Sequence, residues 1–323
     1  MRISFFTKPL ALFERFAKDC ERRFNYLKYT LRGNAYKAWT CSHTLGGHQD
    51  LVDSFIKGAQ YFPDVELLVN PRYEDARGSI AYVPCSWRVL RDVIAMKRRG
   101  IVEKLIAGPM ICHEGPSEHE WIIADDAIDC YLLASRWVAD AYLSECRVAG
   151  RVLKNLNVWA AGVDEKIWSP LDMKEGGAAH SALLYVKGEG AEMSIQAAQI
   201  MKELGIETKM LRYGGYVPED YERLLEWCNF VVVMGGSETQ GLSLTQAWSM
   251  NRPTLVYESE SVIARGRDAA PYITPQTGMK WHNVEELREG LAAIRNCTPR
   301  RWVLENQTNE AAFRQFLSIV KTL

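Results

Sequence analysis

No two of the eight cysteines, at positions 20, 41, 85, 112, 130, 146, 228 and 297, form a C-x-x-C pair. In a chain of 323 residues that scatter argues for reduced thiols, against a disulfide framework or a zinc site. Long apolar runs are also missing. Nothing approaches the ~18 apolar residues of a membrane span, and ISFF, ahead of Lys8 and Pro9, is too short for a signal h-region. A cytoplasmic protein is expected. Net charge is close to nil at −1, and a pI of 6.6 lacks the basic footprint of a nucleic-acid binder. Internal repeats and low-complexity segments are absent as well, so a soluble globular chain of two domains is the expectation.

What charge there is lies unevenly. Residues 1–40 hold nine Lys/Arg against three Asp/Glu. There Phe13, Phe16, Phe24, Tyr26, Leu27, Tyr29 and Leu31 alternate with Arg15, Lys18, Arg22, Arg23, Lys28 and Arg32. Two readings fit: a helix with its aromatics packed inward and a solvated basic face, or a peripheral contact with an anionic membrane.

Beyond this stretch, short β-branched runs alternate with helical periodicity. Strands are predicted at 3–6, 66–69, 80–83, 104–107 (ending at Gly108–Pro109) and 130–134, with helices after Gly46–Gly47, over 87–97 and over 136–146. A second series starts after residue 157, with strands at 183–186, 209–212, 231–234 and 254–257 and helices over 191–204, 221–228, 242–250 and 285–294. The last twenty residues form an amphipathic helix. Such alternation predicts an α/β fold with parallel sheets.

The segment VVVMGGSETQGLSLTQAWSMNRPTLVY, residues 231–257, carries the most chemistry. It reads as strand, glycine-containing loop, helix and strand, and parallel sheets place ligands at the carboxyl ends of their strands. A helix N-terminus at Leu242 offers free N–H groups and a positive dipole end, suited to a diphosphate. Gly241 allows close backbone approach. Glu238 can accept hydrogen bonds from hydroxyls on one side of that anion. Gln246 lies eight residues on, a rise of roughly 12 Å in a helix, within reach of hydroxyls such as a ribose on the other side.

SETQGLSLTQAWSMNRPTLV resembles the EX7E element of the retaining GT-B glycosyltransferases of family 4, commonly SEGFGLVLLEAMACGRPVV. VWAAGVD, residues 158–164, is similar to that family's VIPNGVD interdomain element. The resemblance implies two Rossmann-like domains with parallel sheets facing across a cleft: residues 1–157 on the acceptor side, 158–300 binding the donor, and 301–323 as a terminal helix returning to the first domain. It implies a nucleotide diphosphate sugar as co-substrate, a glycan or glycolipid acceptor, retention of configuration, and no cofactor or metal ion. Glu238 takes the place of the Glu that contacts the donor sugar. Gln246 stands where the family has its ribose-binding Glu, and Gln240, Gly241 and Leu242 form the diphosphate-facing loop and helix start.

The same resemblance gives roles to four further places. Gly46–Gly47 corresponds to the double glycine near the donor phosphate. Lys187 falls in the diphosphate-pairing loop after the strand at 183–186, where the family's Arg is missing. Tyr216–Val217 corresponds to the loop that reads the nucleobase, and His113 is the counterpart of a histidine near the anomeric carbon, with His43 and His48 as competitors. Asp125–Asp126 reads as a helix cap, and Arg265 and Arg267 as solvated loop residues. Two alternatives stay open: an epimerase-type enzyme acting on free nucleotide sugars, and a catalytically silent GT-B-like binding protein.

Overall fold

The computed structural model describes residues 1–8, 12–33, 37, 47–170, 180–188, 191–214 and 216–323. It divides into two compact units. The first comprises Met1–Gly162 with Asn309–Leu323, and the second Val163–Thr308. The divisions fall at 162/163 and 308/309, where the sequence reading placed them at 157/158 and 300/301.

The first unit is built on six parallel strands: β1 (Arg2–Phe5), β2 (Glu66–Val69), β3 (Ser79–Cys85), β4 (Val102–Met110), β5 (Cys130–Leu133) and β6 (Leu156–Val158). Their spatial order is β2-β1-β3-β4-β5-β6. The chain runs outward in opposite directions from β1 and β3, which makes that pair the topological switch point. One face is sealed by an aromatic cluster. The Phe55 ring lies 4.6 Å from Phe5, 4.7 Å from Tyr82, 4.9 Å from Phe313 and 4.8 Å from Phe316. Phe55 sits on the helix Gly47–Ala59, and the two last phenylalanines on the helix Asn309–Val320. These helices approach so closely that a Cβ at Gly58 would lie 2.5 Å from the Asn309 carbonyl oxygen. Only glycine fits there. Trp159 Nε1 donates to the Ala312 carbonyl at 2.8 Å, closing the same seam.

Two expectations need correction here. Strand β4 does not end at Gly108–Pro109 but runs on to Met110, because its neighbour still pairs there, with Cys85 opposite Met110. The basic N-terminal stretch does form a helix, Leu12–Leu31, yet the apolar side chains described near its C-terminal end are not packed inward as the first of the two readings has it. Phe24, Leu27 and Leu31 are 68%, 57% and 79% exposed. Their i, i+3, i+7 spacing draws them into one stripe, which the described residues leave uncovered.

The second unit carries five parallel strands: β7 (Ser181–Val186), β8 (Glu207–Arg212), β9 (Phe230–Met234), β10 (Thr254–Tyr257) and β11 (Gly278–Trp281). They are ordered β11-β10-β9-β7-β8. Every residue of β9 is buried, as a central parallel strand requires. Alternate side chains serve opposite faces: Val231 and Val233 join Leu225, Leu244 and Trp248, while Phe230, Val232 and Met234 join Ile200, Met201 and Leu287. Each such burial contributes about 1.5–3 kcal/mol. The switch point lies between β7 and β9, so the loops leaving those two strands define the crevice of this unit.

Candidate functional site

The two strands at that crevice are stitched together just past their ends. The Lys187 N–H donates to the Met234 carbonyl at 2.8 Å. A Cβ added to Gly188 would lie 3.6 Å from the Gly236 nitrogen, so the two glycine-bearing exits run side by side. The Lys187 ammonium is ion-paired with the Glu238 carboxylate, and the two side chains are 18% and 17% exposed. The Glu238 N–H donates to the Asp268 carbonyl at 2.8 Å. This places a cation and a carboxylate, 51 residues apart in sequence, at one spot on the carboxyl edge. Sequence reading named both residues but did not foresee their pairing.

The helix Leu242–Ser249 begins immediately beyond. Its N-cap, Gly241, has φ 82° and ψ 52°, a left-handed conformation that costs any other L-residue roughly 1–2 kcal/mol. Among the described residues no side chain caps this end, and its first turn holds no acid, so the positive end of the helix dipole meets no side-chain cap or acid of that turn. Ser243 Oγ, in that first turn, is buried and has no hydrogen-bond partner among the described residues. Gln240 is buried beside the cap, and Leu242 and Gln246 are half-buried along the helix. This arrangement can receive an anion at the helix start, with hydroxyl-bearing groups to either side.

Behind it, three tyrosines pack together. Tyr185 and Tyr216 share a 2.6 Å hydroxyl–hydroxyl hydrogen bond, and Tyr221 donates to the Ser243 carbonyl at 2.8 Å. Burial pushes the Tyr185 and Tyr221 hydroxyls far above the ordinary phenol range, so both stay neutral. Val217 caps the helix Pro218–Trp227. Its N–H donates to Asp220 Oδ2 at 3.2 Å and its carbonyl accepts the Asp220 N–H at 2.9 Å. Both backbone groups of Val217 are therefore engaged within the cap.

A second charged group lies one strand over. Lys280 Nζ sits 2.9 Å from Glu258 Oε1 and 2.7 Å from Asp268 Oδ1, and Glu258 is buried. Burial draws the Glu258 carboxyl upward, but the Ala269 N–H and the Lys280 ammonium outweigh it and hold the group below the usual carboxylate range. Burial likewise draws Lys280 down, and its two carboxylate partners return it to above its ordinary value. Because the Asp268 carbonyl accepts the Glu238 N–H, this cluster anchors the loop on which Glu238 rests. Sequence reasoning missed it. The one available signal was a lysine inside the otherwise apolar strand GMKW.

In the first unit, Gly46 and His43 lie outside the described residues; Gly47 opens the helix Gly47–Ala59, which also holds His48. His113 is exposed on the loop after β4, and its N–H donates to Glu118 Oε1 at 2.6 Å. The Glu114 and Gly115 N–H groups bind the same oxygen. Burial raises the Glu118 carboxyl, yet these three donors hold it below the usual range. Three successive residues on this loop, His119, Glu120 and Trp121, have φ of 53°, 59° and 63°, at roughly 1–2 kcal/mol each. Asp125 Oδ1 accepts the Ala127 N–H at 2.9 Å, and both Asp125 and Asp126 pair with Arg98. Arg265 and Arg267 are exposed. Among the described residues no group of three or more His, Cys, Asp or Glu side chains is arranged to hold a metal ion, and no helix is long and apolar enough to cross a membrane.

No family model matches the chain, and none of the curated proteins does. Solved structures do. The chain is similar to the lipopolysaccharide outer core galactosyltransferase WaaB in its apo form, with a TM-score of 0.54 at 10% identity, over 100% of this chain and 99% of that one. It is similar to the catalytic domain of Starch Synthase IV from Arabidopsis thaliana bound to ADP and acarbose, with a TM-score of 0.52 at 9% identity, over 87% and 78%. It is also similar to HepE from Anabaena in complex with UDP and glucose, with a TM-score of 0.50 at 11% identity, over 100% of both chains. At such identities the likeness is one of architecture, and it gives this chain of two parallel-sheet α/β units the GT-B fold of these glycosyltransferases.

Proposed function

We propose that this chain is a glycosyltransferase that moves a sugar from a nucleotide diphosphate sugar to an acceptor hydroxyl, in glycan, polysaccharide or glycolipid synthesis. The observation that carries this reading is the Lys187–Glu238 pair at the β7/β9 switch point, directly ahead of the uncapped helix start at Gly241. Both nucleotide-bearing structures named above hold a nucleoside diphosphate, UDP in one and ADP in the other.

The donor diphosphate docks on the helix N-terminus and draws the Lys187 ammonium toward itself, since a diphosphate offers more charge than one carboxylate. Glu238, released from Lys187, accepts hydrogen bonds from hydroxyls of the donor sugar and fixes its orientation. Gln246 serves the ribose as a neutral partner. As the glycosidic bond to the diphosphate breaks, the helix dipole and Lys187 stabilise the charge on the leaving group without a metal ion. The acceptor oxygen bonds to the anomeric carbon with retention of configuration and its proton passes to the departing diphosphate, with His113 assigned near that carbon and Gly46–Gly47 to the donor phosphate.

The test is turnover over a panel of UDP, GDP and ADP sugars, with product configuration read by proton NMR. Release of nucleoside diphosphate with at least one donor is expected. A chain that neither binds nor turns over any of them is not a glycosyltransferase, and release accompanied by an epimerised free sugar would place it among the epimerases.

The same proposal puts the basic helix Leu12–Leu31 on an anionic membrane surface through Phe24, Leu27 and Leu31, with Arg23 and Lys28 beside them. Co-sedimentation with phosphatidylglycerol vesicles, lost in Phe24→Ser/Leu27→Ser, checks it. Equal pelleting with neutral phosphatidylcholine vesicles would contradict it.

A further inference from the structure

We propose that the carboxyl edge of the first unit carries an oxyanion site, built on Trp87, Arg88, Arg91 and His119 and extended by Ser135 and Arg136. This site binds a phosphate or carboxylate carried by the acceptor sugar. The inference rests on the glycosyltransferase reading above, and it names a substrate class for the acceptor.

Strands β3 and β4 end in register, Cys85 opposite Met110, so the residues that follow them leave the sheet side by side. After β3 comes the helix Trp87–Arg98. The Arg88 and Arg91 guanidinium carbons lie 5.3 and 5.4 Å from the centre of the Trp87 ring. From the loop after β4, the left-handed turn at residues 119–121 lays the His119 ring on Trp87, at 4.8 Å and 23° between planes. One aromatic ring thus gathers two cations and an imidazole.

Among the described residues neither guanidinium has a carboxylate within ion-pair distance, and both arginines are exposed. Glu118 Oε2 lies 3.7 Å from His119 Nε2, but the other oxygen of that carboxylate is held by three backbone N–H groups. A guanidinium resting on an aromatic face keeps its planar fork of donors free for a carboxylate or phosphate. The helix holds the two guanidinium groups together at i, i+3 and a strained turn adds the imidazole, an arrangement that is unfavourable unless an anion completes the cluster.

The next strand extends the pattern. β5 leads into the helix Arg136–Val148, whose N-cap, Ser135, makes no capping hydrogen bond. Ser135 is 1% exposed and its Oγ has no partner among the described residues. Arg136 follows it, exposed. The buried hydroxyl and this third guanidinium stand on the same carboxyl edge, at the end of the strand next to β4.

The experiment is calorimetric titration of the purified full chain, saturated with UDP to fill the donor site, at low ionic strength. The probes are glucose 1-phosphate, methyl β-D-glucuronide and uncharged methyl β-D-glucoside. One or both charged probes are expected to bind at one site with an affinity that falls as salt is added, and the stronger of the two identifies the oxyanion. Arg88→Gln/Arg91→Gln is expected to weaken that binding at least tenfold, Arg136→Gln severalfold, with UDP affinity unchanged as the check on folding. The inference is overturned if neither charged probe binds, if the uncharged glycoside binds as well, or if the double variant binds like the wild type. Should UDP itself fail to bind, the donor reading falls, while the loss in the double variant still decides this site.

Discussion

The two units share a parallel α/β plan, yet their carboxyl edges are built differently. In the second unit the crevice is made from glycine, at 188, 235, 236 and 241, and the Lys187 cation there is already paired with a carboxylate. In the first unit the edge is made from large residues, three of them in left-handed conformations, with two arginines that have no carboxylate partner among the described residues. The difference follows from what each edge would hold. A diphosphate close to the backbone calls for small residues and an uncapped helix. An acceptor read by side chains calls for a shaped, charged surface.

The largest expected effect separates the edges most sharply. Glu238→Ala would remove the proposed acceptor of hydrogen bonds from the donor sugar, and such bonds to a charged group are worth about 1.5–3 kcal/mol each. Its kcat/KM should fall roughly 100-fold or more, with the melting temperature kept within a few degrees. Wild-type turnover in that variant would remove Glu238 from the site. Lys187→Ala should weaken UDP binding by about 10–100-fold, as measured by calorimetry, and an unchanged affinity would show that the ion pair is purely structural.

The Glu258–Lys280–Asp268 cluster gives a pH test confined to the second unit. The Glu258 carboxyl is held below its ordinary value when folded. Its contribution to stability is therefore present above the unfolded carboxylate pKa of about 4.3 and is lost as pH falls through the lower folded value. Thermal melting from pH 6 to pH 3 should show this loss, and Lys280→Met should both lower stability at pH 6 and flatten the profile. An equally steep profile in that variant would contradict the account.

Smaller effects are expected at the helix itself. Gly241→Ala puts a Cβ 3.0 Å from Leu244 Cδ1 at φ 82°, and should cost about 1–2 kcal/mol, a melting shift of about 2–8 °C for a unit of this size. No shift would mean that the left-handed cap is absent. Gln246→Glu should alter UDP affinity by no more than about fivefold, since either side chain can accept a ribose hydroxyl. A complete loss of binding would place that residue elsewhere in the mechanism.

How much of this was legible in the sequence follows the same division. Four of the second unit's five strands could be read from their apolar runs, β11 not, and the helix start at Leu242 from the run of β9, the glycines after it and the stop signals Asn251 and Pro253. Those are local signals. Strand β6, three residues of LNV, gave none, and the helix Pro299–Asn306 was merged into the terminal helix because nothing in its periodicity marks the break at 307–308. The Lys187–Glu238 pair and the cluster around Lys280 join residues from separate crossovers, and only the sheet order brings them together. On the first unit's edge the left-handed turn at His119–Trp121 has no glycine to announce it, so the gathering of cations on Trp87 stayed hidden.

The most direct measurement is a crystal structure of the chain soaked with UDP. The account predicts the diphosphate within hydrogen-bond distance of the N–H groups of Leu242 and Ser243, with Lys187 turned from Glu238 toward it and the ribose beside Gln246. A diphosphate bound away from this helix start, or a Lys187–Glu238 pair left intact beneath a bound nucleotide, would contradict it.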